Sequence, residues 1–299
     1  MKGNNFYLIG CASGIAGADI HSGDGPLKMR DSRYLTQVMP AGLHYSWEEM
    51  ITITHQNGRR KDEEVAAGCR QLGEIISSLV TTAHPFCVVG GDHSCAVGTW
   101  SGVYDAMRHK GDVGLIWIDA HMDSHTPETS PSGNIHGMPL ACLLGYGFPA
   151  LTGVMHNSPK LKPENVCLIG VRSYESGEAA LLRKLNVRVY FMDEIQERGL
   201  PEVMREAVEH VNRHTVGYGV TIDIDSVDPE EAPGVDVPAV NGLHGLELCE
   251  AIREIAADQR LIATEVVEFD PLHDAQDKTE ILIAKLITII AEGAVRRKT

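Results

Sequence analysis

No stretch of about eighteen apolar residues occurs anywhere in this chain, so no membrane-spanning helix is expected and no membrane partner. The apolar run near the start, Phe6 to Ile9, is too short for the core of a secretory signal, which points to a cytoplasmic protein. Basic residues are scarce: 26 Lys and Arg stand against 41 Asp and Glu, a formal net charge of -15. Neutralising phosphates needs clustered cations, so nucleic acid is disfavoured as a partner, whereas an acidic field is compatible with a small cationic substrate. Cysteine pairs at CxxC spacing are missing. The seven cysteines (Cys11, Cys69, Cys87, Cys95, Cys142, Cys167, Cys249) are odd in number, scattered and mostly within apolar stretches, so they read as reduced core residues. Linkers, low-complexity tracts and internal repeats are also absent, which leaves one domain over residues 1–299 as the expectation.

What is present is globular material, 43% hydrophobic and 22% charged, enough for a sizeable core. Short apolar runs recur ahead of polar loops: Phe6 to Ile9, Phe86 to Val89, Val113 to Ile118, Val166 to Ile169, Val187 to Phe191, Tyr218 to Ile224 and Leu261 to Val267. Each suits a buried strand. Between them lie stretches with helical spacing, clearest at Val65, Cys69, Leu72, Ile76 and Leu79. Such alternation requires right-handed crossovers and predicts an α/β fold, a single three-layer αβα sandwich around a parallel sheet. The first 60 residues are less regular, and Gly10, Gly14, Gly17, Gly23, Gly25 and Pro26 mark loops expected to help shape a pocket.

In an open parallel sheet, ligands gather beyond the C-terminal ends of the strands. Asp119, His121 and Asp123 alternate directly after Val113 to Ile118; in an extended segment all three share one side and converge. Carboxylates brought together repel unless a cation compensates. Alone, the triplet also fits a helix-capping Asp119 with His121 and Asp123 solvated in a loop. Asp223-Ile-Asp225 repeats the pattern at the end of Tyr218 to Ile222, and Asp228-Pro229 is expected to break that strand. His93, after Val88-Val-Gly-Gly-Asp92, supplies a second imidazole, although taken alone it reads rather as a capping or core histidine. The six together offer nitrogen and oxygen without thiolate. Such a set suits two manganese ions better than a structural zinc, with zinc, cobalt, nickel or iron left open.

Four motifs occur in one order: Gly90-Gly-Asp-His93-Ser, Asp119-Ala-His-Met-Asp123, Ser132-Gly-Asn-Ile-His136-Gly and Asp223-Ile-Asp225-Ser-Val-Asp228-Pro. At these residues the chain resembles the ureohydrolase superfamily of arginases, agmatinases, guanidinobutyrases and formimidoylglutamases. Gly23-Asp-Gly-Pro26 followed by Arg30 also resembles that family's first loop. The resemblance covers nearly the whole chain. It implies an αβα sandwich with a central, mainly parallel eight-stranded sheet, two Mn ions and a homotrimer or homohexamer. By motif, His93, Asp119, Asp123 and Asp223 would hold one ion and Asp119, His121, Asp223 and Asp225 the other, with Asp119 and Asp223 bridging. Hydroxide held between the ions would attack a guanidinium carbon, and Asp225 would accept its hydrogen bond. His136 is the candidate proton shuttle, since imidazole titrates near neutrality; its alternative is a loop hydrogen bond. Glu268 occupies the position resembling the family's guanidinium-holding glutamate, the alternative being a strand-end salt bridge.

Ser132-Gly-Asn134 matches the loop with which arginases read an α-carboxylate, with Ser130 as a further contact, and this puts arginine first among substrates. Glu175 and Glu178 correspond to acidic residues facing the α-ammonium group, although Glu175 stands where an aspartate is common. His125 replaces an asparagine and Val237 a threonine, and neither reproduces the neutral hydrogen bonds of those residues. A cationic His125 would favour an anionic substrate end. The expected activity is hydrolysis of L-arginine to L-ornithine and urea, with agmatinase, guanidinobutyrase and formimidoylglutamase as alternatives in the same chemistry. Outside it stand a metal-binding protein without catalysis and a deacetylase-like enzyme with a single zinc.

Overall fold

The computed structural model describes residues 5–297. The strands are β1 (Asn5–Ala12), β2 (His44–Thr52), β3 (Phe86–Gly90), β4 (Gly114–Ile118), β5 (Val166–Val171), β6 (Arg188–Phe191), β7 (Tyr218–Asp223) and β8 (Leu261–Val267). They form one eight-stranded sheet in the order β2-β1-β3-β8-β7-β4-β5-β6. Every pairing is parallel, so the sheet is wholly rather than mainly so. The apolar runs account for this: β3, β4, β5 and β7 are buried at every residue, as strands covered by helices on both faces must be.

One face packs on helices Leu200–Asn212, Gly245–Ala256 and Lys278–Arg296 through residues such as Val203, Ile252 and Ile283. The other packs on Lys61–Thr81 and Ala96–Met107 through Val65, Leu72 and Trp100. Fully burying one such apolar side chain contributes about 1.5–3 kcal/mol, so two continuous cores hold the strand ends rigidly. The predicted three-layer αβα sandwich is what these residues form.

The strand missing from the predicted set is β2, which lies in the region read as loops. It sits at the sheet edge and pairs only with β1, leaving His44, Glu48, Glu49 and Thr52 exposed. An edge strand needs no continuous apolar run, so hydropathy does not mark it. All seven cysteines are buried free thiols. No helix among the described residues is long and apolar enough to cross a membrane. β3, β8, β7 and β4 are neighbours at the centre of the sheet, and each delivers a polar segment at its C-terminal end.

Candidate metal centre

Those four strand ends build the site. β3 leads into His93, β4 into Asp119 and β8 into Glu268, while β7 ends on Asp223. The ligand atoms of His93, Asp119, Asp123 and Asp223 cluster together, and Asp119, His121 and Asp225 form a second group. Nδ1 of His93 lies 3.3 Å from Asp119 Oδ2, 3.0 Å from Asp123 Oδ2 and 3.1 Å from Asp223 Oδ2. Nδ1 of His121 lies 3.0 Å from Asp225 Oδ2 and 3.5 Å from Asp119 Oδ1.

One imidazole nitrogen carries at most one proton and cannot satisfy three carboxylates. Asp123 Oδ2 is buried and accepts no hydrogen bond. Burial, and then the charge of Asp119, pushes the Asp123 carboxyl up to about 6. Burial followed by the charges of Asp225 and Asp119 raises Asp223 well above the usual carboxylate range. A divalent cation in each group removes the repulsion and the orphaned acceptor together, and nitrogen and oxygen donors suit such ions. The residues present therefore fit a binuclear divalent site.

The convergence does not come from an extended strand. β4 stops at Ile118, the chain then bends, and Asp123 sits in the left-handed region with φ 46°. A non-glycine residue there is costly and persists where the surroundings hold it. Asp225 likewise stands in the 3-10 turn Ile224–Ser226, so β7 ends before Asp228-Pro229 rather than being broken by it. Asp119 belongs to both ligand groups, but Asp223 joins only the first. Its second oxygen, Oδ1, accepts the Asp225 N–H at 2.9 Å.

Glu268, also left-handed with φ 64°, accepts the His93 N–H on Oε1 at 2.7 Å, and the same oxygen lies 3.1 Å from His136 Nδ1. Its own N–H donates to the Gly91 carbonyl at 2.7 Å. Gly91 also lets the first loop come close, because a Cβ there would run into the Ser13 carbonyl. The first loop also reaches the site: Asp92 accepts from Ser13 Oγ at 3.0 Å and Ala16 N–H at 3.2 Å, and the Ala16 carbonyl accepts the His136 N–H at 3.2 Å.

Burial alone would lower the pKa of His136, but the Glu268 carboxylate beside it carries it up to about 9. The folded value thus lies above the ~6.5 of a free histidine. The pair's contribution to stability is whole below that pH and is lost as pH rises through about 9. Metal-free protein should therefore unfold at a lower temperature at about pH 10 than at about pH 7, and Glu268→Gln should flatten that difference. An equally steep fall in the variant would contradict the pairing.

These groups open into a cavity of about 220 Å³. Asp225, His136 and Glu268 line it, as do His125, Ser130, Ser132, Asn134, Glu175, Glu178 and Val237. His121, Asp123 and Asp223 face it too, while His93 and Asp119 lie buried beneath. A larger groove of about 630 Å³ runs beside helices Gly245–Ala256 and Lys278–Arg296, but among the described residues no group of metal-ligating side chains falls in it. The chemistry belongs to the smaller cavity.

The family model described as Arginase family matches residues 5–291. The chain is 38% identical to an arginase of Bacillus caldovelox over 273 residues, 88% of this chain and 90% of that protein. This chain belongs to the arginase family. An arginase of Brevibacillus brevis is 35% identical across 96% of this chain and 97% of its own. The solved arginase structure from Bacillus caldovelox superposes with a TM-score of 0.88 at 36% identity, covering 97% of this chain and 98% of that one. The formimidoylglutamase of Bacillus subtilis, at 23% identity and a TM-score of 0.78, shows the fold alone. Arginase-family membership makes the chain a ureohydrolase-type enzyme and sets aside the deacetylase-like reading.

At the outer end of the pocket this arginase-family chain has its own arrangement. His125 Nε2 lies 2.9 Å from Glu175 Oε2, and its Nδ1 lies 3.2 Å from Thr129 Oγ1, so both ring nitrogens have partners within the protein. Glu178 accepts the Glu175 N–H at 2.9 Å and completes a capping box on helix Ser176–Leu185. Burial, with Asp123 adding to it, pushes the Glu178 carboxyl up to about 8. Glu178 is thus a helix cap as well as a pocket wall. Ser130 Oγ and Ser132 Oγ accept the Gly133 and Asn134 N–H groups at 3.0 and 3.2 Å, which shapes the loop. Val237 presents only apolar surface.

Two supports lie outside the predicted set. Trp117 Nε1 donates to Asp119 Oδ2 at 2.8 Å, and its ring stacks on His93 with centroids 4.2 Å apart. Thr221 Oγ1 lies 3.0 Å from His93 Nε2. Trp117 and Thr221 each stand two residues before an aspartate of the site, so the period of two along a strand was the available signal.

Proposed function

We propose that this chain is an arginase-type ureohydrolase converting L-arginine and water to L-ornithine and urea, with two manganese ions as its cofactors. The carrying observation is Asp119, one buried carboxylate shared by two ligand groups beneath a cavity that also holds Glu268. A nitrogen and oxygen donor set without thiolate supports manganese. Divalent ions bound there would lower the pKa of water enough for hydrolysis near neutral pH and would stabilise charge developing on the substrate.

The chain's own residues do the positioning and the proton transfer. Glu268 offers a carboxylate to the guanidinium, and the His93 N–H on its Oε1 fixes its direction. His136 Nδ1 faces that carboxylate, which keeps the ring protonated at neutrality and able to protonate the departing amine. Asp225 accepts a hydrogen bond from the attacking water. Ser130, Ser132 and Asn134 offer donors to an α-carboxylate, and Glu175 offers an acceptor to an α-ammonium group.

One observation favours a second reading. Glu175 is already paired with His125, which suits a guanidino acid lacking an α-ammonium group, the substrate of a guanidinobutyrase. Urea release from L-arginine, agmatine and 4-guanidinobutyrate by the manganese-loaded chain decides between them. Arginine with the highest kcat/KM supports arginase; 4-guanidinobutyrate ahead of it supports the second reading.

Ser132→Ala and Asn134→Ala should each raise KM for arginine by about tenfold or more, since a hydrogen bond to a charged group contributes about 1.5–3 kcal/mol. Turnover at saturation should change little, because the contact is equal in ground and transition states. Agmatine kinetics, without a carboxylate to lose, should not move. From the lack of linkers and repeats we propose one domain over residues 1–299, with a cytoplasmic setting, and on the resemblance a homotrimer or homohexamer. The partner is a small cationic guanidino compound rather than nucleic acid or a membrane.

A further inference from the structure

The loop that carries Ser130, Ser132 and Asn134 is laid against the first turn of helix Ser176–Leu185 by Ser124, His125 and Thr129. The Ser124 N–H donates to Glu178 Oε2 at 3.4 Å, and His125 Nε2 lies 2.9 Å from Glu175 Oε2. Thr129 rests on Gly177, where an added Cβ would stand 2.8 Å from the Thr129 Cβ. The helix side of this contact is itself fixed, because Glu175 and Glu178 each accept the other's backbone N–H. On the loop side, the His125 N–H donates to the Gly137 carbonyl at 3.0 Å, and Thr129 Oγ1 accepts the Thr126 N–H at 2.9 Å. The His125 ring joins the two sides, since its other nitrogen, Nδ1, lies 3.2 Å from Thr129 Oγ1.

We propose that His125 is a positioning residue that straps the substrate loop to the Glu175 cap through Thr129, so that the pocket reads the carboxylate of a guanidino acid whether or not the acid carries an α-ammonium group. An imidazole has two nitrogens, and both are engaged within the protein, so neither is left for the substrate. What the ring holds is passed along the loop: the Thr126 carbonyl accepts the N–H groups of both Thr129 and Ser130 at 3.0 Å, and Ser130 Oγ in turn accepts the Gly133 N–H. A shift of Thr129 therefore shifts the groups that meet the carboxylate. Holding a binding loop in place beforehand lowers the ordering cost of binding. His125 and Glu175 stand where the resemblance expects an asparagine and an aspartate, and in the fold these two departures are partners of each other. The strap gives Glu175 a role that needs no α-ammonium group, beside the acceptor it offers to one.

This inference rests on the reading that Ser132 and Asn134 hold a substrate carboxylate, and one set of assays tests the two separately. Urea release by the full-length, manganese-loaded chain is measured with L-arginine, with 5-guanidinopentanoate, which is arginine without its α-amino group, and with agmatine, which is arginine without its carboxylate. Where turnover is slow, Ki against arginine replaces KM. Thr129 is not a wall of the cavity, so Thr129→Val reaches the substrate only through the loop. Thr129→Val and Glu175→Ala should each raise KM for both carboxylate-bearing compounds by about 2- to 10-fold, the range spanned by loss of one ordinary hydrogen bond, with kcat little changed and agmatine unaffected. Because both act through one strap, the double variant should be no worse than the worse single one. Glu175→Gln should restore KM for 5-guanidinopentanoate, since glutamine offers His125 Nε2 either a donor or an acceptor and still caps the helix. A merely structural role would move all three substrates alike. Thr129→Val keeps the test decisive if Glu175→Ala does not fold, because it removes one exposed hydroxyl. Unchanged KM values in Thr129→Val, while Ser132→Ala raises them, would overturn this inference alone, as would a Glu175→Ala effect confined to arginine. Ser132→Ala without effect on either carboxylate-bearing compound would overturn it together with the carboxylate reading.

Discussion

Asp119→Ala abolishes binding of both divalent ions and lowers urea release by roughly 10³-fold or more, because hydrolysis then loses the large fall in water pKa that bound metal provides. The size of the effect follows from position. Asp119 is fully buried and is the one residue common to both ligand groups, so no other single side chain removes a donor from each. Its loss also strips an acceptor from Trp117 Nε1 and from the His121 N–H, which donate to it at 2.8 and 2.7 Å. Leaving a buried donor unpaired costs about 1–3 kcal/mol, so some stability is lost as well. Asp119→Asn separates the two consequences: it keeps an acceptor oxygen and fills the same space, yet removes the negative charge that the two cations would share. Metal analysis by mass spectrometry and urea release at saturating arginine check both variants. Two ions retained by Asp119→Ala would contradict the shared-ligand geometry.

Glu268→Gln lowers kcat/KM by about 30- to 4,000-fold while both ions stay bound. Truncating one partner of a buried, hydrogen-bonded charge pair costs about 2–5 kcal/mol, and about 1.4 kcal/mol is a factor of ten. Glutamine keeps an oxygen for the His93 N–H, now accepted by Glu268 Oε1 at 2.7 Å, so the metal-side loop is not released. What disappears is the negative charge that the guanidinium needs and that holds His136 up to about 9. The variant should therefore also shift the basic limb of the pH–rate profile downward, since His136 then gives up its proton at lower pH. Unchanged kcat/KM with an unmoved basic limb would remove Glu268 from the substrate site.

The clustered His and Asp residues were legible in the sequence because each lies within a few residues of a buried apolar run, and such runs announce themselves. The geometry that joins them was not. Alternation suggested an extended segment from Asp119 to Asp123, whereas the left-handed turn at Asp123 does the converging. Backbone conformation of that kind is set by the surrounding packing, which no local pattern records. β2 escaped for a simpler reason: at the sheet edge, side chains such as Glu48 and Glu49 remain in water.

The least legible contacts join residues far apart in the chain. Trp100 and Glu265 are separated by 165 positions, and only the neighbouring of β3, β8, β7 and β4 brings Thr221 and Trp117 under His93. His125 and Glu175 are separated by 50 positions, and only the fold brings them to one end of the pocket. Glu178 capping its own helix was hidden because the capping residue is Glu175, outside the usual Ser, Thr, Asp and Asn.

The most direct test of a binuclear arginase-type centre is stepwise addition of Mn²⁺ to the metal-free chain while urea release from L-arginine is recorded. Activity that climbs to a plateau at two equivalents per chain is the predicted result. A plateau at one equivalent, or no urea at any loading, would contradict it.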